Sequence, residues 1–235
     1  MKVTNRRLIV NADDFGQSVE VNEGIMCAHE RGLVTSASLM VRWPAAPAAA
    51  SWARSRRDFS LGLHFDIGEW VFAGDRWEAL YQIVPPDDAV AVRAEFVRQL
   101  DVFCRMVGAN PTHLDSHQHV HMKEPVRSVI TEMSAELGVP LRLCNGAVRY
   151  CGDFYGQNDA GTPFPGGISL RAFVRLIDRV PPGITELGCH PGFGNTAPTA
   201  YREERAHEVE VLCDPRARAA IRRRGIELVS FRSVR

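Results

Sequence analysis

Short apolar runs alternate with amphipathic helical stretches from one end of this 235-residue chain to the other, and that alternation restricts the fold more than any other feature. Arg7–Asn11, Ser36–Val41, Leu61–Ile67, Thr112–Ser116, Leu141–Cys144, Ile184–Cys189 and Glu227–Phe231 read as seven strands. Between them the pattern predicts helices from Ser18, a capping residue, to Arg31 before Gly32, and from Pro44 to Arg56. Further helices are predicted over Asp88–Val107, Glu124–Leu137 (stopped by Gly138 and Pro140), Ser169–Arg179, Tyr201–Cys213 and Pro215–Arg224. Gly68–Pro86 reads as irregular, and Asn145–Gly167 as a long connection of the kind that often carries function. Seven β/α units without a repeat or low-complexity linker predict one parallel-sheet domain over residues 1–235. A doubly wound sheet and a barrel share this pattern, and periodicity does not separate them.

Composition narrows the partners. Lys plus Arg equals Asp plus Glu at 28 each, so no net field draws the chain to nucleic acid or an anionic membrane. The basic runs in Arg202–Arg224 are interleaved with Glu and read as solvated helix faces. Leu8, Ile9 and Val10 are too short an apolar run for a signal peptide, and no run approaches the roughly 18 residues of a membrane helix. The six cysteines are scattered without a C-x-x-C pair, which predicts free thiols and a cytoplasmic protein.

Four polar clusters follow predicted strands: Asn11–Gly16, His64 in Gly62–Asp66, His113–His121, and Cys189–Gly192. In parallel α/β folds the C-terminal strand ends form the ligand-binding edge, so the four should converge. His113, His117, His119 and His121 are half of the chain's 8 histidines, and a solvated face has no need of such a run. Asp13 and Asp14 are adjacent in the polar turn Ala12–Gln17 that follows the first strand, and adjacent side chains point apart, which suits two different roles. Cys189 faces opposite to His190 on its strand and reads as core. One carboxylate and two imidazoles leave open positions on a divalent ion, as catalytic Zn²⁺ sites do. Fe²⁺, Mn²⁺, Co²⁺ and Ni²⁺ accept the same set, whereas Mg²⁺ prefers oxygen. Asp13 fits the place of a general base beside such an ion, and His190 that of a general acid across the site.

With these residues placed, the chain resembles the YdjC/ChbG-like carbohydrate deacetylase family. The matching stretches are Leu8–Gly16 (LIVNADDFG), Val21–Ile25, Gly32–Met40, Gly62–Phe65 (GLHF), Pro111–Met122 (PTHLDSHQHVHM) and Cys189–Phe193 (CHPGF). The resemblance implies a distorted TIM-like barrel with one divalent metal at its mouth, held by Asp14, His64 and His117. It implies Asp13 as general base, His190 as general acid, and removal of the acetyl group from an N-acetylated sugar with release of acetate. Mg²⁺ is the ion commonly associated with the family, in tension with the donor set, which favours Zn²⁺ or another transition ion. Gln118 departs from the family pattern, where many members carry a further histidine, and the brevity of Gly68–Pro86 suggests an abbreviated lid.

Around this centre Asp115 is expected behind an imidazole, and His119 and His121 in the pocket wall. Arg142 is the main basic residue near the clusters, expected at the substrate or behind the site. Trp70, Phe72, Trp77 and Tyr155 are placed to stack on sugar rings. A homodimer through surface helices is the assembly such a barrel suggests. A phosphoesterase or cyclic-amide hydrolase would share the ion but would aim Arg or Lys at the substrate. A non-catalytic sugar-binding module would not require the intact set Asp13, Asp14, His64 and His117.

Overall fold

The computed structural model describes residues 5–158, 161–194 and 196–234. In chain order the elements are β1 (Arg6–Phe15), α1 (Val19–Glu30), β2 (Ser36–Leu39), α2 (Ala46–Arg54), β3 (Ser60–Phe65), β4 (Gly68–Ala73), β5 (Arg76–Gln82) and α3 (Ala89–Val107). They continue as β6 (Leu114–Ser116), α4 (Val126–Leu137), β7 (Val148–Cys151), α5 (Leu170–Arg179), β8 (Gly183–Cys189), α6 (Glu204–Leu212), α7 (Pro215–Arg223) and β9 (Ile226–Leu228). Local chemistry sets the helix ends. Ser18 accepts from the Val21 N–H at the start of α1, and Asp88 from the Val90 and Ala91 N–H groups at the start of α3. Gly108 and Gly138, both left-handed, stop α3 and α4.

One curled parallel sheet runs β6-β3-β2-β1-β8-β7, with β9 on the N-terminal part of β1. It forms a half-barrel in a single domain, in keeping with the distorted TIM-like barrel expected. Central β1 pairs with β2, β8 and β9. Leu8, Val10, Ala12, Leu63, Leu114 and Leu187 pack in one core with Ile25, Phe96, Ile130, Phe173 and Ile221 of the surrounding helices. Two glycines show how tightly the layers meet. A Cβ at Gly24 would fall 2.3 Å from the Gly192 Cα, and one at Gly62 would fall 2.5 Å from the His113 ring. No helix among the described residues is long and apolar enough to cross a membrane.

Three expectations change. Leu141–Cys144 is not a strand: Leu141 makes a single parallel bridge to Leu114, and Leu143 turns left-handed at φ 62°, which ends extended pairing. The edge strand is instead β7, inside the segment expected to be a connection; four residues between Gly146 and Gly152 are too few to carry a visible alternation. Gly68–Pro86 is largely an antiparallel hairpin, β4–β5, in which Phe72 faces Trp77 across the turn at Gly74. Its second strand is solvated almost throughout, so no apolar period marks it in the sequence.

Candidate active site

The ends of β1, β3, β6 and β8 bring the four clusters to one mouth. At the end of β1 the register with β2 slips: Ala12 pairs with Ala37 and Phe15 with Leu39, so Asp13 and Asp14 together oppose Ser38. This is a β-bulge, and Asp14 sits in it with φ 65°. Aspartate tolerates that conformation better than most residues. The structure extends the strand through the expected polar turn to Phe15, and the bulge corrects the expectation that the two adjacent side chains point apart: both enter the site. Asp14 Oδ1 lies 3.4 Å from His64 Nε2 and 3.1 Å from His117 Nδ1. Asp13 Oδ2 lies 3.8 Å from His190 Nε2.

Asp14, His64 and His117 are buried and offer ligand atoms within 4.8 Å of one another, a group able to hold a metal ion. Burial alone would raise the Asp14 carboxyl, but Arg205, His117 and His64 hold it well below the usual carboxylate range. Burial likewise opposes charge on His64, yet Asp115 and Asp13 raise it to about 9. The pocket therefore draws positive charge, which suits a divalent cation. Asp13, His64 and Asp115 form a second close group. There the cation is already Arg142, at 2.6 and 2.7 Å from the two Asp13 oxygens and 2.8 Å from Asp115.

Arg142 is buried and also binds Glu186 through Nε and Nη2 at 2.9 and 2.6 Å. It stands behind Asp13 with its donors engaged by carboxylates. Burial would raise Asp13, and the Arg142 guanidinium brings it below its ordinary value. Glu186 has the same partner, yet burial, with Asp115 and Asp13 nearby, pushes it up to about 7. Asp115 accepts from His64 Nδ1 at 2.7 Å and from the Ser38 hydroxyl at 2.6 Å.

The histidine run divides. His113 stacks on Phe231 at 3.7 Å, below the mouth. His117 enters the site, and left-handed Gln118 and His119 then swing the chain away. His119 packs edge-on to Tyr150 at 5.3 Å. His121 is buried between the Ser116 hydroxyl and the Arg142 carbonyl, at 2.6 and 3.0 Å. Gln118 pairs with the backbone of Trp70, accepting from its N–H and donating to its C=O at 2.8 Å each, and so ties the hairpin to the mouth. Tyr155 stacks on Tyr201 at 4.7 Å and meets the His190 ring edge-on at 5.3 Å. Burial lowers His190 to about 4 despite Asp13 and Asp14 nearby.

Several residues of the mouth escape a reading of the sequence. Arg205, assigned above to a solvated face, is 0% exposed and donates to Asp14 Oδ2 at 2.7 Å. The signal is its spacing: Arg205, Glu208, Val209 and Leu212 form one buried face of α6. Glu208 accepts from the His190 N–H and the Tyr201 hydroxyl. Glu186 stands in β8 among residues that are otherwise apolar or small, a cue in itself. Glu69 of β4, 3.2 Å from His117 Nε2, carries no such cue.

A parallel half-barrel with an Asp-His-His group at its mouth, and a further Asp and His beside it, has the make-up of a single-ion hydrolase. Residues 7–223 match the model of the YdjC-like protein family. The chain belongs to that family. It is 32% identical over 248 residues to a carbohydrate deacetylase of Geobacillus stearothermophilus, covering 97% of each chain. It is 30% identical over 265 residues to a chitooligosaccharide deacetylase of Salmonella typhimurium, covering 96% of this chain and 98% of that one. A crystal structure of an Enterococcus faecalis protein, described as a candidate for cellobiose-phosphate cleavage, superposes with TM-score 0.81 at 26% identity, covering 98% and 99% of the two chains.

Proposed function

We propose that this protein is a metal-dependent carbohydrate deacetylase that removes the acetyl group from an N-acetylated sugar and releases acetate. The observation that carries the reading is the bulge at the end of β1, which delivers one carboxylate to the His64–His117 pair and its neighbour to His190. The relatives named for deacetylation of carbohydrate and chitooligosaccharide supply the substrate class.

Asp14, His64 and His117 would hold the ion. Two nitrogens and one oxygen favour Zn²⁺ or another transition ion over Mg²⁺. Such an ion supplies a Lewis acid that polarises the acetyl carbonyl and acidifies water. Asp13 is the general base: Arg142 keeps its carboxylate charged and fixed, and Oδ2 is the oxygen turned toward His190. Burial holds the His190 imidazole low, at about 4, so the proton it passes to the departing amine has to come from within the site. Asp13, 3.8 Å away, is the neighbour that holds a proton once it has accepted one from water. Tyr155 beside His190 and Trp70 beside Gln118 border the approach and offer faces for sugar rings.

A phosphate-cleaving site would need a free cation aimed at substrate. Arg142 and Arg205 are both bound to carboxylates, which weighs against that chemistry. The test is acetate release from N-acetylglucosamine oligomers by protein loaded with Zn²⁺, with and without chelator. Acetate that appears with the ion and ceases with chelator supports the assignment. A zinc-loaded protein that releases none across a range of N-acetylated sugars refutes it.

A further inference from the structure

Among the described buried carboxylates that the mechanism does not use, Glu69 is the one that faces the proposed ion ligand His117. Glu69 lies at the base of hairpin β4–β5 and is 2% exposed, although most of that hairpin faces solvent. Its Oε1 accepts from the Thr199 hydroxyl at 2.8 Å and from the Ala200 N–H at 3.0 Å. Its Oε2 lies 3.2 Å from His117 Nε2, and neither of those two atoms has a hydrogen-bond partner elsewhere. A buried carboxylate needs such a partner, because taking its charge out of water is costly.

We propose that Glu69 is a positioning residue: it holds the proton of His117 on Nε2, so that Nδ1 is left free to ligate an ion beside Asp14. The inference rests on the reading of Asp14, His64 and His117 as ligands. The two imidazoles then enter the site by opposite nitrogens, each backed by a carboxylate. His64 turns Nε2 to Asp14 with Asp115 behind Nδ1, and His117 turns Nδ1 to Asp14 with Glu69 behind Nε2. A carboxylate in that position fixes the tautomer and ring orientation and raises the basicity of the ligating nitrogen. Because Oε1 also holds Thr199 and Ala200, the same side chain joins the hairpin and the segment before α6 to the ligand.

The test measures Zn²⁺ affinity by competition with a chromophoric chelator for the wild type, Glu69→Gln, Glu69→Ala, Thr199→Val and His117→Ala. Glu69→Ala is expected to bind roughly 10–100-fold more weakly than wild type, with Glu69→Gln between the two because its amide oxygen still accepts from Nε2–H. Thr199→Val, which cuts the loop anchor but leaves Oε2 facing His117, is expected to bind as wild type does. Melting curves of the isosteric Glu69→Gln establish that the fold persists. Wild-type affinity in both Glu69 variants, with zinc lost from His117→Ala, overturns the inference and leaves the ligand assignment standing. Equal weakening in Thr199→Val and Glu69→Ala also overturns it, because Glu69 would then act through the loop. Full zinc affinity in His117→Ala overturns the ligand assignment itself.

Discussion

The two imidazoles that face Asp14 are supported by different kinds of structure. His64 and its partner Asp115 lie on neighbouring barrel strands, β3 and β6, and Arg142 and Ser38 hold Asp115 from behind. His117 lies past the end of β6, and its carboxylate neighbour comes from a hairpin attached to the mouth through Glu69 and Gln118. One half of the site is built into the sheet by buried ion pairs. The other hangs on a hairpin whose second strand is solvated almost throughout. The two halves thus differ in what holds the imidazole: buried ion pairs within the sheet on one side, a largely solvated hairpin on the other.

Arg142→Met is the strongest way to break that division. It leaves Asp13, Asp115 and Glu186 buried around an apolar chain, and removing one partner of a buried ion pair costs about 3–5 kcal/mol. A large fall in denaturant midpoint is expected; a midpoint close to wild type would mean that the barrel half is not held by its charges. Gly24→Ala comes next. Its new Cβ meets the Gly192 backbone, which follows His190, and overpacking of this kind costs about 1–3 kcal/mol. The melting temperature should drop, and unchanged melting would show that α1 can shift freely against the β8–α6 connection.

A smaller effect is expected for Gln118→Ala. The lost pair of hydrogen bonds to Trp70 is exposed, and each is worth about 0.5–1.5 kcal/mol at most. Zinc content and kcat should stay near wild type while KM for the sugar rises. A fall in kcat at constant KM would erase the distinction between rim and barrel.

A pH dependence tests the barrel half in a different way. Burial pushes the Glu208 carboxyl up to about 8, against the Tyr201 hydroxyl, the His190 N–H and Arg205. An acid whose folded value lies above its unfolded one stabilises the fold fully at low pH and loses that contribution as pH rises through the folded value. Wild-type stability should therefore decline from about pH 4.5, the ordinary carboxyl value, up to about pH 8 and level off above it, and Glu208→Gln should flatten the decline. Parallel curves for the two proteins over that range would assign the loss to other groups.

How much of this was legible in the sequence follows the same division. The barrel strands and their helices announce themselves through apolar period and caps such as Ser18 and Asp88. The four clusters at strand ends point to one mouth because parallel strands share a C-terminal edge. What strand periodicity misreads is local backbone. Adjacent aspartates in an expected turn read as pointing apart, and only the bulge with Asp14 at φ 65° turns both into the site. Arg205 is hidden for a different reason: a charged residue in a charged segment looks solvated until its carboxylate partner, 191 positions away, is placed beside it. Hairpin β4–β5 has few buried residues and hence little pattern, so Glu69 becomes visible only in three dimensions.

The central claim is that one bulge gives two adjacent aspartates separate tasks, and zinc content measured beside turnover in Asp13→Asn and Asp14→Asn tests it most directly. The account predicts that Asp14→Asn purifies with its zinc lost. It predicts that Asp13→Asn keeps its zinc and loses turnover by about 10²–10⁴-fold, as removal of a general base does. Equal loss of zinc from both variants, or full turnover in Asp13→Asn, would contradict it.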